Sequence, residues 1–146
     1  MERQTADDLV AVCDHCLTPI PDGAGVLEID IAAADRALRR WRVKAGPDPL
    51  AVYATTPGAR PVRWSTRHHD CGRPPRSPYT ITVERIRTWP GLLHWGSHLA
   101  DKYWLPATDW HDLTGRAIEP LRAAVSGILP AHPRDPHDGP VGDRPR

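Results

Sequence analysis

The sequence predicts an α+β fold, in which a small module of strands, one helix and a β-hairpin is followed by a Trp-rich helical segment. Three observations predict it. Apolar residues at Leu27, Ile29 and Ile31 alternate with acids, the period of a half-buried strand. Trp89, Leu92, Leu93, Trp95, Leu99, Tyr103 and Trp104 fall within about half of a helical wheel at 3.6 residues per turn, the pattern of a helix with one face in the core. The 17 Pro and 11 Gly among 146 residues keep every element short and the loops abundant.

In chain order, residues 1–12 read as a lead-in, 13–87 as the α+β module, 88–129 as the helical segment and 130–146 as a disordered Pro-rich tail. Cys13 to Cys16 reads as a tight turn, and Pro21 to Gly25 as a second turn delivering a strand over Val26 to Ile31. Ala32 to Val43 reads as a helix with Ala37, Leu38 and Trp41 on its apolar stripe. Gly46 to Pro49 ends it. Strands over Leu50 to Thr55 and Pro61 to Thr66, joined by Pro57-Gly58, form a hairpin that brings Trp64 to the core and His68 towards the Cys13 turn. The run Gly72 to Pro78 can only be a loop, and Tyr79 to Val83 alternates as a strand.

Thr88 is placed to cap the helix starting near Trp89, where Pro90 is tolerated because first-turn amides lack intrahelical partners. Pro106 stops that helix. Thr108 or Asp109 caps the next one, carrying Leu113, Ala117 and Ile118, and Pro120 breaks it before a further helical stretch, Leu121 to Leu129.

Net charge is +1, but it is unevenly distributed: residues 1–34 carry −6, residues 35–87 carry +8 and residues 88–146 carry −1. Arg36, Arg39, Arg40, Arg42, Arg63, Arg67 and Arg73 all lie in the positive block, and they are the candidate contacts to a nucleic-acid backbone. The amino terminus has no signal-like apolar run and no segment is long and apolar enough to span a bilayer, so the expectation is a cytoplasmic protein with no membrane partner.

Cys13-x-x-Cys16 and His68-x-x-Cys71 are two chelating pairs of equal spacing. An x-x spacer lets one tight turn present two side chains to the same ion, and four soft or borderline ligands satisfy tetrahedral zinc. The expected cofactor is therefore one Zn2+ on Cys13, Cys16, His68 and Cys71, with His69 as the competing fourth ligand. Three cysteines cannot all pair with one another, so metal ligation explains them better than disulfides. Three thiolates and a histidine fill the ion's coordination, which suits a structural role and leaves no open position for catalysis.

Cys13-x-x-Cys16, Ile20, Gly23-x-Gly25, the strand that follows, Trp64 and His68-x-x-Cys71 resemble the first zinc half of a LIM-like or treble-clef module, stretched by an insertion. The second Cys-rich half of a LIM domain is missing, and Trp64 does not directly precede His68. From Cys13 to Trp110, including Val83 to Thr88, the Leu93-x-Trp95-x-x-His98-Leu99-x-x-Lys102 helix and Thr108-Asp109-Trp110, the chain resembles small zinc-site proteins of actinobacteria and their phages. That resemblance implies a zinc-binding accessory protein of mobile or regulatory elements, without specifying a chemistry.

The pattern thus favours a non-enzymatic, zinc-stabilised binding or regulatory module whose partner is DNA or RNA. A protein-interaction adaptor acting through the Trp-rich helices is the alternative. A third reading is a degenerate metal-dependent nuclease, because His68-His69 resembles the double histidine of HNH nucleases, although no matching Asn and distal His follow. His94 and His98, at i and i+4 with Asp101 nearby, read as a solvated helix face rather than a second metal site.

Overall fold

A computed structural model of the chain describes residues 9–45, 60–119 and 125–131. Among them are five strands in two small sheets and three α-helices. The three-stranded antiparallel sheet has β2 (Gly25–Asp30) at its centre, flanked by β3 (Ser65–His68) and β4 (Pro78–Thr82). In the other sheet β1 (Leu9–Val12) pairs antiparallel with β5 (Gly127–Pro130).

The alternation of Leu27 and Ile29 correctly marks a strand, but β2 is covered on both faces. Leu27 and Ile29 sit in the core with Ile81, and Glu28, expected to face water, is only 2% exposed. A central strand has neighbours on both edges and packing on both sides, so alternating polarity here marks a paired charge instead of solvent.

Asp30 ends β2, and its Oδ1 accepts the Ala33 N–H at 3.3 Å, opening α1 (Ile31–Ala45). Ala37 and Leu38 are buried and Trp41 packs against the core, as the stripe predicts, and Ala34 is buried with them. The strand expected over 50–55 and the turn at 57–58 lie outside the described residues, as do the tail from residue 132 and residues 120–124. The strand expected over 61–66 begins later, at Ser65, because residues 62 to 64 are engaged elsewhere. The Val62 N–H donates to the Ala107 carbonyl at 2.8 Å, and the Trp64 N–H to Asp109 Oδ1 at 2.7 Å.

Trp64 reaches the core as expected. It is fully buried, donates from Nε1 to Thr108 Oγ1 at 3.0 Å, and lies against Trp110, Trp104 and Tyr79 with ring centroids 5.2, 6.0 and 6.4 Å away. This aromatic group joins the sheet to the helical segment. Thr88 caps α2 (Trp89–Leu99) through its hydroxyl, which accepts the Gly91 N–H at 3.2 Å. The helix ends at Leu99, well before Pro106, and a 3-10 turn (Leu105–Ala107) leads to α3 (Trp110–Ile118).

The wheel overstates the buried face. Leu92, Leu99 and Trp104 are buried, whereas Leu93 is 71% exposed and Tyr103, beyond the helix end, hydrogen-bonds outward to Asp35. Ile118 is exposed as well. Two further expectations are corrected. The last residues of the lead-in form β1, and the end of the expected Leu121 to Leu129 helix is β5, whose Ile128 is buried in the core. Strand pairing across the length of the chain overrode local helical preference there. No helix among the described residues is long and apolar enough to cross a membrane.

Candidate metal centre

The first chelating pair sits on a tight loop between two short extended runs. The Val12 and Pro19 backbones bridge, the Cys13 N–H donates to the Thr18 carbonyl at 3.0 Å, and the Leu17 N–H returns to the Cys13 carbonyl at 2.9 Å. The second pair begins on the last residue of β3 and turns at once, the Cys71 N–H donating to the His68 carbonyl at 3.0 Å. Each loop closes on a left-handed residue directly after its second cysteine, Leu17 (φ 59°) and Gly72 (φ 74°). That conformation bends the chain away once both side chains have been presented, and it is inexpensive for glycine but not for leucine.

Two contacts hold the loops together. Asp14, inside the first loop, accepts the Thr66 N–H at 2.9 Å and its own N–H donates to the Thr66 carbonyl at 2.9 Å, so the loop is tied to β3 two residues before His68. The His15 ring lies over Gly72, where an added Cβ would stand 2.8 Å from it. Backbone approach at the strand is closer still, since a Cβ on Gly25 would collide with the Arg67 carbonyl oxygen.

The sulfurs of Cys13, Cys16 and Cys71 and a ring nitrogen of His68 all lie within 4.8 Å of one another, and none of the cysteines is in a disulfide. His68 Nδ1 is 3.3 Å from Cys16 Sγ and 3.8 Å from Cys71 Sγ. Tetrahedral bonds of about 2.3 Å to sulfur and about 2.0 Å to nitrogen imply ligand separations of roughly 3.5 to 3.8 Å. The spacing therefore fits a metal ion held by all four. His68 Nε2 is 3.1 Å from the Pro19 carbonyl, so a proton on Nε2 is donated outward and the Nδ1 lone pair faces the sulfurs. His69 is exposed and stands outside this cluster.

The electrostatics of the cluster also suit a cation. Burial pushes the Cys13 thiol up, but the backbone N–H groups of Cys16, His68 and His15 and the His68 ring outweigh it and hold Cys13 at about 6. Thr18, through its hydroxyl and its backbone, lowers Cys16. Cys71 is pushed up to about 11, by desolvation first and then by the neighbouring sulfurs. His68 is raised, chiefly through its hydrogen bond with Cys13. Three sulfurs this close cannot all carry charge unaided, and a dication among them offsets both the desolvation and the repulsion that keep the proton on Cys71.

The arginines divide. Arg67 is 7% exposed and forms a two-pronged ion pair with buried Glu28, Nε on Oε1 and Nη2 on Oε2, while Nη1 donates to the His68 and His69 carbonyls at 3.4 and 3.3 Å. It braces the metal loop from inside and offers nothing to a nucleic-acid backbone, which corrects its expected role. Arg63 is exposed and paired with Asp14 at 3.2 Å. Arg36, Arg39, Arg40, Arg42 and Arg73 are exposed. His68 pairs with the first residue of β2, whereas α1 begins directly after its last, so the six-residue strand lies between the start of that helix and the second loop.

Sequence reasoning missed Asp14 and Glu28. Asp14 could have been suspected from its place inside the chelating loop. Glu28 could not, because its diagonal pairing with Arg67 depends on the register of β2 with β3. No protein-family model matches this chain, and neither a curated protein nor a solved structure does. What fold and site define is an α+β protein with a Cys3His cluster able to hold a metal ion.

Proposed function

We propose that this protein is a zinc-stabilised, non-enzymatic binding module that takes nucleic acid through the arginines of α1. Zinc is the ion that three thiolates and one imidazole at tetrahedral spacing suit best, and four protein ligands leave it no position for substrate. The observation that carries the nucleic-acid reading is the outward face of α1, where Arg36, Arg39, Arg40 and Arg42 are all exposed on one 15-residue helix. Arginine on phosphate displaces condensed counterions, so affinity should fall steeply with salt.

The test has two stages. Elemental analysis of protein purified without added metal should find one zinc per chain, lost in Cys71→Ala and His68→Ala and kept in His69→Ala. Metal-loaded protein should then bind labelled nucleic acid with an affinity that drops as salt rises. Wild-type protein without metal would remove the first half of the reading, and loaded protein indifferent to every nucleic acid would remove the second. A protein-interaction adaptor is the second reading, favoured by Leu93, which is 71% exposed on α2. It requires a protein partner whose capture survives high salt and is lost in Leu93→Ser.

A further inference from the structure

Val43 is the most exposed of the large apolar residues described, at 83%, and it follows the four arginines near the C-terminal end of α1. At about 100° per residue, the buried stripe of Ala34, Ala37, Leu38 and Trp41 defines the inward direction of the helix. Val43 then points almost directly outward, with Arg36 and Arg39 within roughly 30° on either side of the outward axis. Arg40 and Arg42 lie roughly 70 to 90° off that axis, one on each flank.

Seen down the helix axis, the apolar residue stands between two arginines, with a further arginine on each flank; along the axis all four arginines come before it. Asp35, the acid on this part of the helix, is engaged by Arg39 at 3.1 Å and by the Tyr103 hydroxyl at 3.0 Å. A solvated face needs no such order, and a flat anionic surface would not reach the two flanks together. The B-form major groove does: it is about 12 Å wide, admits a helix of about 10 to 12 Å diameter, and has phosphates along both walls. Its floor carries guanine acceptors that suit arginine and thymine methyl groups that suit an apolar side chain.

Resting on the nucleic-acid reading above, we infer that α1 enters the major groove of duplex DNA, with Arg40 and Arg42 on the phosphates of opposite walls and Arg36, Arg39 and Val43 facing the base edges. From Arg36 to Val43 the helix rises about 10 Å, so each engagement covers about three base pairs. A-form RNA has a deep, narrow major groove that excludes this helix.

Fluorescence anisotropy with a labelled mixed-sequence DNA duplex of about 20 base pairs, the double-stranded RNA of the same sequence and the single DNA strand tests the inference. Metal-loaded protein should bind the DNA duplex at least about tenfold more tightly than either alternative. Arg40→Gln with Arg42→Gln should reduce the slope of log affinity against log salt by about 2. Val43→Ala, and replacement of every thymidine by deoxyuridine, should each weaken binding about threefold or more, and the two together no more than either alone. Equal affinity for double-stranded RNA or single-stranded DNA, or indifference to both Val43→Ala and the uridine duplex, overturns groove insertion while leaving nucleic-acid binding intact. Absence of binding to all three probes, with metal content normal, overturns the nucleic-acid reading and the groove with it.

Discussion

Arg67 and Arg40 are the same residue type in the same positive block, but one is buried and the other exposed. Arg67 is buried with Glu28, and removing one partner of a buried, hydrogen-bonded pair strands the other charge. Arg67→Ala should therefore cost about 3 to 5 kcal/mol in denaturant unfolding, while Arg40→Gln should lie within about 0.5 kcal/mol of wild type. If Arg67→Ala unfolds at the wild-type midpoint, the pair has been misread. Gly72 supplies a second prediction at this scale. A Cβ there would meet the His15 ring and force a left-handed conformation, so Gly72→Ala should lose about 1 to 2 kcal/mol and weaken metal retention against a competing chelator. His15→Ala combined with Gly72→Ala should recover only the steric part.

At the scale of elements, β1 and β5 decide how the two ends of the described chain are joined. The Leu9 to Val12 strand pairs with Gly127 to Pro130, and Ile128 fills the core beneath them. Ile128→Ala should cost about 2 to 4 kcal/mol, as for a buried aliphatic side chain truncated to leave a cavity. Val125→Ala, at an exposed position just before the strand, should cost almost nothing. Similar small losses at both positions would mean that β5 does not pack as described. The helices show the complementary case. Thr88 caps α2 and Leu113 and Ala117 of α3 are buried, as local pattern predicts, because capping and a 3.6-residue period are properties of neighbouring residues. Leu93 escaped that pattern because a half-circumference stripe is wider than the surface the core covers.

For the molecule as a whole, the Cys3His cluster closes the excursion from Cys16 to His68, so the proposed ion would couple sheet formation to metal binding. The apparent binding energy of structural zinc at neutral pH, about 10 to 16 kcal/mol, rivals the whole stability of a domain. Stripping zinc with a tight chelator should lower Tm by more than about 10 °C, and Cys71→Ala should show the same loss without chelator. Acidification should act in the same direction. Without metal, Cys13 holds its proton only below about 6, whereas Cys71 keeps its proton up to about 11. Loading zinc at pH 7.5 should thus release the Cys71 proton, and the ion should be lost as pH falls below about 6, where Cys13 takes up its proton and His68, raised by its bond to Cys13, holds one as well. Indicator dyes for proton and zinc read both steps, and pH-independent loading would contradict the assignment of thiolate ligands.

Two equal chelating spacings, a Thr before a Trp-Pro helix start and the alternation of Leu27 and Ile29 with acids were enough to indicate Cys13, Cys16, Cys71 and one of two adjacent histidines, the start of α2, and β2, because each signal is written within a few adjacent residues. Only the tertiary structure chose His68 over His69, since the direction of a side chain at the end of β3 depends on the pairing of Gly25 with His68. It likewise turned Arg67 inward to Glu28, left Arg36, Arg39, Arg40 and Arg42 outward, and joined β1 to β5. Sequence spacing orients side chains along one element, whereas burial depends on which face another element covers, and that is decided by contacts between residues far apart in the chain.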